Sequence, residues 1–182
     1  MAISAKPAAP KQAGSGSEAS PIKTQLAAAK ASAGTAPAVH HPGFRQIYES
    51  PPIARIEVIR RGIPAKRVSA LSREMDLPQE SLIETLGLTR ATISRKARED
   101  KPLSQDESER VLGIEALIGQ VQAMIADSGD PTGFNAAKWV AKWLQAPLPA
   151  LGGDKPASYM DTIEGQKLVA NLLTMTQSGA YA

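Results

Sequence analysis

The chain has 182 residues, with 21 Lys+Arg against 18 Asp+Glu, two His, no Cys, 42% apolar residues and 4% aromatic residues. That length holds one ordinary domain or two small ones, and without cysteine there is no disulfide framework, thiolate nucleophile or Cys-ligated metal centre. Both histidines sit side by side at His40 and His41 and no apolar run approaches the ~20 residues of a membrane helix, so the expectation is a soluble cytoplasmic protein that is not an enzyme, with no catalytic residue, no metal site and no cofactor.

Charge is distributed unevenly along the chain. Residues 1–43 carry four Lys and one Glu, residues 44–101 twelve basic and eight acidic residues, and residues 102–182 five basic and nine acidic residues. A basic front and an acidic back predict two surfaces for different partners, the first polyanionic. Residues 1–43 hold 27 Ala, Ser, Gly or Pro and no aromatic, which is too little apolar area to offset the entropy of ordering. They read as a disordered basic arm.

From Pro51 the apolar spacing is helical. Ile53, Ile56 and Ile59 step by three up to Gly62, and Val68, Leu71 and Met75 follow Pro64. Asp76 is placed as the cap of a further helix with Pro78 in its first turn and Leu82, Ile83 and Leu86 facing inward. Gly87 breaks that helix, Leu88 is an apolar plug, and Thr89 opens another helix through Arg98. Two short helices about a glycine turn make a helix-turn-helix.

In the second helix Ile93 and Ala97 share the inward face, which leaves Ala91, Ser94, Arg95 and Arg98 outward, with Arg90 and Thr92 at the edges. The outward face is basic, small and polar, as a major-groove reader requires. Arg95 or Arg98 is suited to guanine, Ala91 to a thymine methyl, and Thr92 and Ser94 to phosphates. Thr89, Arg90, Ala91, Thr92, Ser94, Arg95, Lys96 and Arg98 are therefore the candidate DNA-binding residues. The run from Leu86 to Arg95 resembles the helix-turn-helix of the Xre (Cro/repressor-like) regulators, with one departure at Ile83, where that group prefers alanine.

Ser104 and Glu107 form a capping box that opens a long helix to about Asp127. Its stripe of Val111, Ile114, Leu117, Ile118, Val121, Met124 and Ile125 fits core packing, and also the seam of a homodimer reading two half-sites. A short helix from near Asn135 then carries Trp139 and Trp143 on one face, and the area of two indoles argues for core positions. The following loop, from Ala146 to Pro156, is a rigid connector or a recognition loop, and a last helix runs from about Thr162 to Gln177 with Val169, Leu172 and Leu173 inward.

Taken in order, the basic helix-turn-helix, the capped helix, the Trp-Leu pair, Pro149 to Pro156, the Thr-x-Glu-Gly step at Thr162 and the Gly-x-Tyr-Ala end resemble the antitoxin Xre/MbcA/ParS family. The resemblance implies an all-α type II antitoxin made of a disordered arm (1–43), an Xre-like DNA-binding domain (44–101), a connecting and dimerisation helix (102–127) and a toxin-binding domain (128–182). It further implies a cognate toxin of the RES class, which consumes NAD and whose pocket is covered by the antitoxin's C-terminal segment, and operator DNA for autorepression by a homodimer. Leu148, Leu151, Gly152, Gly153, Pro156, Gly179, Tyr181 and Ala182 are the toxin-binding residues it implies. The alternative is a plain Xre-type regulator whose C-terminal half dimerises or senses a ligand.

Overall fold

The structure, a computed structural model, describes Met1, residues 41–128 and residues 133–177. The fold is all-α, with no strand among the described residues. The helices are α1 (Phe44–Glu49), α2 (Pro52–Arg61), α3 (Lys66–Glu74), α4 (Gln79–Thr85), α5 (Arg90–Arg98), α6 (Gln105–Ser128), α7 (Ala136–Leu144) and α8 (Ile163–Gln177); 3₁₀ turns at Pro149–Leu151 and Pro156–Tyr159 lie between the last two.

Helix α6 is the axis on which α1, α2, α7 and α8 pack. Its start is a reciprocal capping box. The Ser104 N–H donates to Glu107 Oε2 at 2.7 Å, and the Glu107 N–H donates to Ser104 Oγ at 3.3 Å. Val111, Ile114, Leu117, Ile118 and Val121 are buried, while Met124 and Ile125 near its end are half-buried. The stripe thus fills the core of a single chain along most of its length.

Polar groups tie the outer helices to this axis. Arg67 on α3 donates to buried Glu115 of α6 at 2.5 Å and to both carboxylate oxygens of Glu74 at 2.7 and 3.0 Å, with its guanidinium 5.3 Å from the Phe44 ring centre of α1. Burial opposes the charge on Arg67, but the two carboxylates outweigh it and raise its pKa. Gln120 donates to the Ala170 carbonyl at 3.1 Å and to Thr174 Oγ1 at 2.8 Å, which fixes α8 against α6.

Three features depart from the sequence reading. Helix α1 has no counterpart in it and contributes the buried Ile47. Helix α2 forms where Ile53, Ile56 and Ile59 are spaced, yet it buries no residue, and Ile53 is 68% exposed. Asp76 does not cap α4, whose N-cap is Pro78. It takes φ +59 after α3, where the Leu77 N–H reaches the Ser72 carbonyl and the Asp76 N–H the Arg73 carbonyl, so it closes the preceding helix as the left-handed residue of a Schellman motif. Aspartate favours both ends of such a connection, and the fold uses it at the first.

Candidate functional site

The helix-turn-helix is α4 and α5, closed over Leu82, Leu86 and Ile93, all at 0% exposure. Its turn is another Schellman motif. The Leu88 N–H donates to the Ile83 carbonyl and the Gly87 N–H to the Glu84 carbonyl, both at 2.9 Å, with Gly87 at φ +57. A Cβ on Gly87 would lie 2.9 Å from Asp161 Cβ, so only glycine fits both the angle and the space. Ile83 is buried, as is Leu88, the residue that such a turn sets against it. Arg110 of α6 holds the turn from below by donating to the Gly87 carbonyl at 2.8 Å and the Leu86 carbonyl at 3.2 Å.

Helix α5 presents Thr89, Arg90, Ala91, Ser94, Arg95 and Arg98 to solvent, with Thr92 half-buried. Thr89 occupies the N-cap position, but its side chain makes no capping bond, so its hydroxyl is available to a ligand. Arg90 reaches Glu80 at 3.0 Å and Arg95 reaches Glu99 at 3.5 Å, both in exposed pairs that exchange readily for phosphate. Lys96 differs from the others. Its ammonium pairs with Glu107 of α6, and the two side chains are only 16% and 13% exposed. Lys96 is thus a strut between α5 and the capping box, a role that its spacing in the sequence did not show. Eleven residues separate the partners, and only the crossing of α5 over α6 brings them together.

The C-terminal part builds a different surface. Asn135 caps α7 by accepting the Lys138 N–H at 3.0 Å, and Ala136, Ala137, Val140, Ala141 and Leu144 are buried. The loop after α7 closes on itself, since Leu148 and Asp154 are joined at 3.0 Å through the Leu148 N–H, and the Gly153 N–H returns to the Leu148 carbonyl. Gly152 and Gly153 have φ of +68 and +95 and are exposed, and Leu148 and Leu151 are half-buried. Pro156 is buried, so it anchors the loop and offers no surface to a partner. The Tyr159 hydroxyl donates to Asp154 at 3.1 Å, and that carboxylate raises the phenol's pKa.

Thr162 Oγ1 accepts the Gly165 N–H at 3.1 Å and so caps α8. Gln166, next in sequence, is buried and donates to the carbonyls of Met160 at 2.8 Å and Arg110 at 3.1 Å. Gly179, Tyr181 and Ala182 lie outside the described residues, as do residues 2–40 of the N-terminal arm.

Two surface features were not read from the sequence. Trp139 and Trp143 pack half-buried against the edge of the core and stack on each other at 6.0 Å with an interplanar angle of 11°, and Phe134 extends the row at 6.3 Å from Trp139. On α8, Leu168 and Met175 are 41% and 40% exposed, seven residues apart on one face that leads towards the C-terminus. The i, i+4 tryptophans were the visible signal for the first, and the i, i+7 pair for the second. Among the described residues no helix is long and apolar enough to cross a membrane, and no group of His, Cys, Asp or Glu is placed to hold a metal ion.

Comparison with known proteins meets this geometry at both ends. Residues 54–114 match the antitoxin Xre-like helix-turn-helix domain, and residues 132–179 match the antitoxin Xre/MbcA/ParS C-terminal toxin-binding domain. The chain is 40% identical over 139 residues to the Prs ADP-ribosylating antitoxin of Sphingobium sp. (strain YBL2), a span covering 76% of this chain and 87% of that protein. With helix-turn-helix and toxin-binding domain in the same order, the chain belongs to the antitoxin Xre/MbcA/ParS family.

Proposed function

We propose that this chain neutralises a cognate RES-class toxin by covering its NAD-binding active site, and represses its own operon through α5 as a homodimer. The observation that carries the reading is the joining, on one helical axis, of an outward basic helix to a separate domain of the toxin-binding type. The relative's name couples an antitoxin to ADP-ribosylation of Prs. ADP-ribosyl transfer breaks the nicotinamide–ribose bond of NAD, joins the ribose carbon to an acceptor and releases nicotinamide and a proton, so a toxin of this chemistry consumes NAD.

The antitoxin needs no cofactor for this. Its part is to occupy space and complement charge. Residues 102–182 carry nine acidic and five basic residues, and Gly179-Ala180-Tyr181-Ala182 carry no charged side chain. A pocket that receives an anionic dinucleotide offers cationic donors to an acidic domain and a stacking surface to a phenol. In this reading Gly179, Tyr181 and Ala182 enter the pocket. Leu148, Leu151, Gly152 and Gly153 meet the toxin outside it, while Pro156 holds their loop.

The test is nicotinamide release from NAD by the protein encoded in the neighbouring reading frame, titrated with the full chain and with a chain ending at Gly179. Inhibition by the full chain alone supports both the antitoxin role and the terminal blocking segment. Equal inhibition by the shortened chain removes the blocking segment and keeps the antitoxin. A neighbour that releases no nicotinamide and binds neither chain leaves the plain regulator as the better reading.

A further inference from the structure

We infer that Arg60 and Arg61, at the end of α2 and outside the helix-turn-helix, form a second phosphate-contacting edge beside the C-terminal end of α5. The inference rests on the DNA-binding reading of α5 and extends it to residues that neither the turn nor the recognition helix contains.

The connector after α2 lies antiparallel against the connector after α5. Pro64 and Pro102 are paired across it, the Leu103 N–H donates to the Ile63 carbonyl at 2.8 Å, and the Ala65 N–H donates to the Lys101 carbonyl at 3.3 Å. Gly62 locks the contact: at φ +84, a Cβ there would lie 2.8 Å from Pro102 Cβ and 2.9 Å from the Leu103 carbonyl oxygen. Arg61 is the residue before this lock, so the end of α2 is held next to the segment that leaves the recognition helix.

The local charge is mainly positive. Arg60, Arg61, Lys66, Arg98 and Lys101 stand here with Glu99 and Asp100 on the connector and Glu57 one turn back on α2. Asp100 is engaged with Lys66 at 2.8 Å, and Glu99 with Lys101 at 2.8 Å and Arg95 at 3.5 Å. Arg60, Arg61 and Arg98 are exposed and form no ion pair among the described residues. Favourable placement at a helix C-terminus accounts for a positive charge on Arg60 or Arg61. It does not account for the convergence of cations from α2, α3 and α5 on one connector.

DNA geometry supplies the occupant. A recognition helix reads base edges with its N-terminal residues, so its other end emerges at the wall of the groove, where the backbone phosphates run. Nine residues at ~1.5 Å each give α5 a length comparable to the ~12 Å groove width, which sets the connector and Arg60-Arg61 against that wall. Contacts of this kind strengthen binding to any duplex and carry no sequence information.

The experiment is fluorescence anisotropy of the full chain, across a salt series, on two labelled duplexes of equal length. One is taken from the DNA upstream of its gene and the other is a scrambled sequence. Replacing Arg60→Gln and Arg61→Gln together is expected to weaken both duplexes by the same factor and to make the log–log salt slope shallower by about 1.8 per protomer. Arg60→Lys with Arg61→Lys restores both quantities, and Arg95→Glu abolishes the preference for the upstream duplex. If the double glutamine variant unfolds at a lower temperature, Arg60→Gln alone carries the test with a slope change of about 0.9. An unchanged slope and affinity in the glutamine variants, with binding lost on Arg95→Glu, overturns this inference and leaves the reading of α5 standing. Binding unaffected by Arg95→Glu overturns that reading, and this inference with it.

Discussion

Glu107 does three things at once: it closes the capping box on the Ser104 N–H, pairs with Lys96 of the recognition helix, and starts α6 with a negative charge at its positive end. Partial burial works against its ionisation, but Lys96 and the Ser104 N–H prevail and hold its carboxyl below the ordinary glutamate range. A depressed folded pKa means the contribution is complete above the unfolded value of about 4.3 and is lost as pH falls through the folded value. Thermal unfolding from pH 7 to 3 should therefore show Glu107→Gln melting below the wild type at neutral pH, with the gap closing on the acid side. A gap that stays constant across that range would contradict the pairing. Glu99 and Asp100 are also held low by lysines, but both are exposed, and of these three carboxylates only Glu107 pairs one helix with another. The capping box could be read from the sequence because its four residues are contiguous. The partnership with Lys96 could not, because it depends on how α5 crosses α6.

At the scale of elements, the helices around the turn end in the same way. Asp76, Gly87 and Asp100, at φ of +59, +57 and +53, follow α3, α4 and α5, and each is followed by a residue whose N–H returns to the carbonyl five positions back. This repeated stop sets the angle at which each helix leaves the last, and with it the attitude of α5. Gly87 is the most constrained of the three, because a Cβ there meets Asp161 as well as an unfavourable angle. Gly87→Ala should lower unfolding free energy by about 1–2 kcal/mol for the backbone alone, with more from the contact, as measured by urea denaturation; a stability unchanged within error would contradict the close approach. The positions of α3 to α8 were legible because their apolar residues recur at helical spacing and their caps are local. Which face would be covered was less legible: α2 has three isoleucines in register and buries none, since spacing alone does not say what packs on a helix. The tryptophans were legible in part. Their size argued for the core, and they do pack against it, but five small or aliphatic residues of α7 fill its interior and the indoles lie along its margin.

For the whole molecule, α6 gives the two functional ends a common frame. Arg110 supports the helix-turn-helix turn through the Gly87 carbonyl while its own carbonyl accepts from Gln166 of α8, and Asp161, just before α8, lies against Gly87. The candidate DNA surface and the candidate toxin surface are nevertheless made of different side chains: Arg90, Arg95 and Arg98 on one, Leu148, Leu151 and the segment after α8 on the other. The order of these parts was readable from the sequence, whereas the polar ties that join them, between residues 23 and 56 apart, were not. Separate surfaces on one frame should be separable by mutation. The most direct test is growth of cells co-expressing the neighbouring reading frame with the wild-type chain or with Arg95→Glu, alongside repression of a reporter fused to the upstream DNA. Both chains should restore growth, and only the wild type should repress; failure of the wild-type chain to restore growth, or loss of rescue with Arg95→Glu in a protein that remains folded, would contradict an antitoxin with two independent surfaces.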